Sequence, residues 1–117
     1  MLCHRNGVIG LTKKEKEALR LFKEKLVAEF GERLDSTQLF GSKARGDAAK
    51  HSDVDVLVVL KDATWRDRHR VSVFASRVLL VTGVLLSTKV FSPEQMGQME
   101  RQRSVFWQSI KPDLILL

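Results

Sequence analysis

The sequence predicts an α/β domain, of the α+β kind, in which a mixed β-sheet is flanked by helices. Three observations predict it: capping-box patterns open two amphipathic helices, an uninterrupted apolar run is typical of a strand buried on both faces, and helices alternate with strands. At 117 residues the chain is long enough for one real core. We therefore expect a single domain over residues 1–117.

The two long helices are predicted from the same N-terminal pattern, a threonine followed three residues later by an acid. The capping pairs are Thr12 with Glu15 and Thr64 with Asp67. Apolar residues of the first helix repeat at helical spacing as far as Phe30, before Gly31. The second helix is expected to reach about Thr82 and to stop at Gly83.

The predicted strands share β-branched or apolar content between turn signals. They are Ser36–Phe40, Val54–Leu60 and Val84–Phe91. Ser92 followed by Pro93 begins a third helix, expected to turn four core residues inward. Those four are Met96, Met99, Phe106 and Ile110. Leu114–Leu117 is expected as a short edge strand or an apolar tail, and Trp65 and Trp107 as packing residues.

The stretch Leu39–Asp47, with the sequence LFGSKARGD, combines features that suit a phosphate. Gly41 has no Cβ, so the backbone there can approach a ligand closely. The N–H groups of the turn that follows point outward and attract anions. Ser42 adds a hydroxyl, and Lys43 and Arg45 add positive charge.

Asp53 and Asp55 are two residues apart at the start of a predicted strand, so they project from the same face. Carboxylates at this spacing lie about 6–7 Å apart. At an effective dielectric of about 20 their repulsion is roughly 2–3 kcal/mol. A divalent cation such as Mg²⁺, which takes one or two carboxylates with phosphate oxygens and waters, turns that repulsion into binding.

Each part also has an ordinary structural explanation. A glycine-serine pair is usually a turn, an Asp-x-Asp pattern is often a solvated strand edge, and Lys43 and Arg45 can be surface charge. The combination at fixed spacing favours a site.

Gly41-Ser42, followed after ten residues by Asp53-Val54-Asp55, resembles the signature of the minimal nucleotidyltransferases, small members of the DNA polymerase β-like superfamily. The matching core covers about residues 38–60. The resemblance implies a palm-like mixed sheet and transfer of a nucleoside monophosphate from a nucleoside triphosphate. It also implies two metal ions held by three carboxylates, of which Asp53 and Asp55 would be the first two.

The third carboxylate is not evident. In the family it comes from the strand beside the Asp-x-Asp strand, and residues 84–91 contain no acid. Ser87 or Lys89 is expected to face the site, depending on the register, and Lys89 there would replace a metal ion as counter-charge. Three acids outside this strand remain as alternatives: Asp62, Asp67 and Glu94.

The resemblance therefore implies a protein that binds a nucleoside triphosphate, with ATP expected, together with Mg²⁺ or Mn²⁺. It implies transfer of AMP to a protein or other hydroxyl acceptor. A small helical HEPN-type protein, as in toxin–antitoxin pairs, is the implied partner, and a homo-oligomer is left open. The alternative is a catalytically impaired module that binds nucleotide or a protein partner and lacks the third carboxylate.

Composition adds weaker constraints. The net charge of +6 favours anionic partners, but the basic residues are scattered without interleaved aromatics, which disfavours nucleic acid. No apolar run reaches membrane-spanning length, so no membrane association is expected. The lone Cys3 cannot form an internal disulfide, and a cytoplasmic location is the expected default.

Overall fold

A mixed sheet with helices on both faces forms the part of the chain that the computed structural model describes, residues 11–45 and 53–117. The helices are α1 (Lys13–Phe30), α2 (Gly41–Arg45), α3 (Trp65–Thr82), α4 (Pro93–Arg101) and α5 (Val105–Ile110). The strands are β1 (Leu34–Phe40), β2 (Val54–Leu60), β3 (Leu86–Phe91) and β4 (Ile115–Leu116). Short 3-10 turns cover Gly31–Arg33 and Lys111–Asp113. The predicted fold class is confirmed.

The four strands lie in the order β3-β2-β1-β4. β2 pairs antiparallel with β1 and parallel with β3, while β4 pairs antiparallel with β1 as the expected short edge strand. The bounds predicted for β2 are confirmed, and its apolar residues are at most 3% exposed. The unbroken apolar sequence of β2 is therefore explained by its interior position, between two neighbouring strands and two layers of helices.

The limits of β1 and β3 differ from the prediction because β2 sets them. β1 begins at Leu34, opposite Leu60 at the end of β2. β3 begins only at Leu86, opposite Val54 at the start of β2, so its first residue is set by the parallel ladder and not by its own apolar run. The sequence predicted β1 two residues too late and β3 two residues too early.

The predicted helix starts are confirmed. The side chains of Thr12, Thr64 and Ser92 each accept a hydrogen bond from the backbone N–H three residues on. The side chain of that third residue in turn accepts a bond from the backbone N–H of the capping residue. Gly31 and Gly83 end α1 and α3 with positive φ angles of 54° and 78°. These local signals were sufficient because capping depends on neighbours in sequence.

The third predicted helix is wrong in its length, because the chain breaks between α4 and α5. Arg103 adopts φ 52°, in the left-handed region, and the hydroxyl of Ser104 accepts a bond from the Trp107 N–H at 3.1 Å to start α5. Three of the four apolar residues predicted to face inward still pack on the sheet, whereas Met99 is only half-buried and belongs to neither cluster of the described core. Ile110 is buried, and Met96 and Phe106 pack against it as part of a small core.

Two apolar layers cover the sheet. The larger cluster joins α1 and α3 to the β2 residues of one face, and the smaller joins α5 to the opposite face. The smaller cluster consists of Phe40, Leu57, Val59 and Ile110. Trp107 packs against it as predicted, whereas Trp65 is 70% exposed at the start of α3, so the packing role predicted for Trp65 is wrong. None of the helices in residues 11–45 and 53–117 is long and apolar enough to cross a membrane.

Candidate nucleotide and metal site

The glycine turn and the acidic strand meet at one point of the sheet. β1 ends with Phe40 directly opposite Asp55, and Gly41 then turns the chain into α2 with φ 76°. A Cβ built on Gly41 would lie 2.3 Å from Oδ2 of Asp55 and 3.2 Å from its Cγ. Only glycine fits this space, both by conformation and by contact. The backbone of the turn therefore lies against the carboxylate.

The two acids differ in their surroundings. Asp53 precedes β2 and is exposed, whereas Asp55 is half-buried within the strand. Burial raises the pKa of Asp55, and the charge of Asp53 acts in the same direction, while Lys89 and Arg45 partly lower it. A carboxyl group with a raised pKa and a like-charged neighbour is typical of a site that gains from a bound cation.

β3 completes the same face with a hydroxyl and an ammonium group. Ser87 lies opposite Asp55 in the parallel register, and Lys89 lies two residues further along. The sequence left open which of the two faces the site, but residues two apart share a face, so both lie on the side of Asp55. Lys89 is exposed, and its charge acts on Asp55.

The alternative acids do not reach this site. β2 and β3 run parallel, so Asp62, which follows β2, and Glu94, which follows β3, lie beyond the other end of the sheet, about 20 Å from Asp55 by strand rise. Asp67 caps α3 and pairs with Arg33 at 2.5 Å. Within the described residues no three His, Cys, Asp or Glu side chains form a metal-binding group. None of these three acids therefore supplies the third carboxylate at this site.

Lys43 does not occupy the position expected of a phosphate ligand. Its Nζ lies 2.7 Å from Oε2 of Glu15, and the two side chains are only 2% and 7% exposed. α2 turns this residue toward Glu15 of α1. This burial disfavours the expectation that Lys43 neutralises a bound triphosphate, which stays a prediction.

Arg45 remains at the surface of α2. Its Nη1 donates to Oδ2 of Asp113 at 3.0 Å, in the 3-10 turn that precedes β4. Its charge also lowers the pKa of Asp55. Ser42 belongs to α2, but its side chain lies outside the described part of the structure, as do Gly46, Asp47 and the residues up to Ser52.

Comparison with known proteins settles the family. Residues 19–104, which include the glycine turn and both acids, match the model of the nucleotidyltransferase domain. The chain belongs to this family. This confirms the family-level resemblance inferred from residues 38–60.

The nucleotidyltransferase domain has relatives in Methanocaldococcus jannaschii. One, named "Putative protein adenylyltransferase", is 36% identical over 76 residues, which cover 64% of this chain and 77% of that protein. A second of the same name is 50% identical over 52 residues, or 43% of this chain and 35% of that protein. A crystal structure of a "putative nucleotidyltransferase" from Sulfolobus solfataricus aligns over 92% of this chain and 89% of its own, at 26% identity and a TM-score of 0.49.

The donors of this nucleotidyltransferase domain fit one divalent cation better than two. Asp53 and Asp55 are close enough for their charges to interact, and Mg²⁺ is commonly held by one or two carboxylates with phosphates and waters. A second ion would need a carboxylate in the place where β3 offers Ser87 and Lys89. The ammonium of Lys89 supplies positive charge there without a metal.

Two residues near the site escaped the sequence analysis. Asp113 holds Arg45 across a separation of 68 residues, and Glu15 was recognised only as a helix cap. Neither contact has a sequence signal, because both join segments that meet only after the sheet has formed. The carboxylates themselves are common surface residues with no distinguishing spacing.

Proposed function

We propose that this nucleotidyltransferase domain binds a nucleoside triphosphate, ATP, together with Mg²⁺ or Mn²⁺ and transfers AMP to a hydroxyl group of a protein. The observation that carries the proposal is the contact of the Gly41 backbone with the carboxylate of Asp55. It brings a turn open to phosphate and a pair of acids into one place. The names of the two M. jannaschii relatives support a protein as the acceptor.

In this proposal Asp53 and Asp55 would hold the metal ion, which would supply counter-charge for the triphosphate when bound. Gly41 and Ser42 hold the β- and γ-phosphates, and Arg45, now paired with Asp113, contributes positive charge. The acceptor oxygen forms a bond to the α-phosphorus and loses its proton. The bond from that phosphorus to the bridging oxygen breaks, and pyrophosphate leaves.

In this proposal the acceptor is a second protein, since the described residues 11–45 and 53–117 form only the sheet and its helices. A small helical HEPN-type protein, the partner implied by the resemblance, is the proposed acceptor. A tyrosine hydroxyl of that protein would provide the attacking oxygen.

The test combines binding with transfer. Calorimetry measures ATP binding in the presence of Mg²⁺, and ATP labelled at the α-phosphate measures transfer to a co-expressed HEPN-type protein. We expect labelling by the wild type and a loss of about a hundredfold or more in the Asp53→Asn, Asp55→Asn double variant. Asp35→Asn, an exposed carboxylate at the far end of β1, is the matched control. Unchanged labelling by the double variant would refute the assignment of the acids.

A non-catalytic nucleotide-binding module is the second candidate. The observation that favours it is the absence of a carboxylate from the described β3 residues beside Asp55, where Lys89 stands instead. Lys89→Asp supplies a carboxylate on the correct face, and Lys89→Met removes the charge without supplying one. Nucleotide binding without transfer in all three proteins supports the module, whereas transfer by the wild type rejects it.

A further inference from the structure

We infer that the buried ion pair between Glu15 and Lys43 is a positioning device, which holds α2 so that Gly41 stays against the carboxylate of Asp55. The inference rests on the proposed function and adds to it two residues that do not touch the ligand. It also gives Lys43 a role in place of the phosphate contact expected from the sequence.

Glu15 is fixed from two sides. Its Oε2 lies 2.7 Å from Nζ of Lys43, and its Oε1 accepts the N–H of Thr12 at 2.8 Å. The backbone N–H of Glu15 in turn donates to the hydroxyl of Thr12 at 3.1 Å, which closes the capping box of α1. The carboxylate can therefore move only if the first turn of α1 opens. Lys43 is held by a group that belongs to α1, one of the two 18-residue helices on that face.

Stability alone is a weak reason for this pair. Removing two charges from water is costly, and buried ion pairs are often replaced by apolar residues without loss of stability. Burial by itself would raise the pKa of Glu15, but the hydrogen bonds from Lys43 and Thr12 and the charge of Lys43 lower it below its ordinary value. The carboxylate of Glu15 therefore keeps its charge, and what the pair adds over an apolar contact is a fixed direction and distance.

That direction matters because both ends of α2 act on Asp55. Gly41, the first residue, is in contact with its carboxylate, and Arg45, the last, lowers its pKa. A helix of five residues does not hold its shape unaided. Lys43 lies midway between the two ends, and Ala44 beside it is buried in the larger core. A shift of Lys43 would thus move the turn and the arginine together.

The experiment separates positioning from stability with three variants. Lys43→Met leaves Glu15 buried without this counter-charge, so we expect a lower melting temperature and a Kd for Mg·ATP raised about tenfold or more. The Glu15→Gln, Lys43→Met double variant keeps the capping box, since glutamine serves there as well, and buries no charge. We expect its melting temperature to recover, while its Kd for Mg·ATP stays about tenfold higher than that of the wild type. Glu24→Gln, which breaks an exposed pair on the same helix, should change neither quantity.

A second measurement does not need the nucleotide. In the ligand-free protein, the nuclear Overhauser effect between Gly41 Hα and Asp55 Hβ reports the contact directly, and we expect the double variant to lose it. The inference would be overturned if the double variant kept both the wild-type Overhauser effect and the wild-type Kd. If the wild type binds no Mg·ATP, the proposed function fails, and loss or retention of the Overhauser effect still decides the role of the pair.

Discussion

Gly41 and Asp55 define the candidate site at the scale of single residues. Gly41 has no side chain, and the carboxylate of Asp55 fills the space that a side chain there would need. Neither residue is informative alone, since glycine is common in turns and aspartate at strand ends. Their value comes from β1 and β2, whose antiparallel register brings Phe40 opposite Asp55 and so sets the turn beside the acid.

Gly41→Ala is expected to remove nucleotide binding and to destabilise the fold by about 1–3 kcal/mol. The added Cβ would have to displace the carboxylate of Asp55, and alanine is strained at φ 76°. Calorimetry with Mg·ATP and thermal unfolding measure the two effects. Gly31→Ala is the matched control, because Gly31 also has positive φ but no atom within 4 Å of its Cβ position. It should lose some stability and keep its affinity, and equal losses of affinity would refute the contact.

Asp55→Asn should make the protein more stable at neutral pH while abolishing Mg²⁺-dependent nucleotide binding. Because burial and Asp53 raise the pKa of Asp55 in the folded state, the wild type loses stability as pH rises from the unfolded value near 4 through the raised value. Asparagine has no such loss. The gain should vanish below about pH 3, where the carboxyl group is protonated in both the folded and the unfolded state. Urea unfolding across pH measures it, and a gain that does not depend on pH would contradict the argument.

The helices and strands are set by different forces at the scale of elements. α1, α3 and α4 begin where local capping bonds predict, whereas β1 and β3 begin where β2 offers a partner. Neither local capping signals nor strand pairing predicts the separation of α4 from α5. Periodicity continues through the break, and only the left-handed conformation of Arg103 and the cap by Ser104 divide the helix.

Arg103→Gly should stabilise the protein by about 0.5–1 kcal/mol, because glycine adopts the left-handed conformation without the steric cost that arginine meets. Thermal and urea unfolding measure the change. Gln98→Gly, at an exposed position inside α4, should instead destabilise by about 1 kcal/mol. If both variants lose stability equally, Arg103 is not strained and the break has another cause.

At the scale of the whole molecule, the candidate site lies on the face of the sheet that carries the smaller of the two apolar layers. Asp55, Leu57 and Val59 share one face of β2, so the acid continues the row that packs against α5. The larger layer, with α1 and α3, holds the other face. The glycine turn links the layers, since Phe40 packs in the smaller one and Ala44 in the larger.

Truncation on the two layers should therefore affect binding differently. Leu57→Ala and Leu26→Ala each remove a fully buried side chain and should cost about 2–5 kcal/mol of stability. Only Leu57→Ala, beside Asp55 on its own face, should also raise the Kd for Mg·ATP in the folded fraction. Calorimetry at a temperature where both variants are folded measures this, and equal Kd values would show that the layers do not divide the roles.

The sequence by itself determined the fold class, the starts of α1, α3 and α4, the bounds of β2 and the family to which residues 38–60 point. These depend on periodicity, on capping and on the spacing of a glycine turn and two acids, all of which are local. It did not determine the register, so Ser87 and Lys89 stayed alternatives until β3 was seen beside β2.

Tertiary structure alone decided the direction of each side chain at the site. Lys43 and Arg45 read alike in sequence, two cations on one short helix, yet the first is buried against Glu15 and the second stays at the surface with Asp113. The physical reason is that burial depends on what packs against α2, and the partners come from distant segments. Spacing can gather charged residues into one motif, but the surrounding core determines which of them face the ligand.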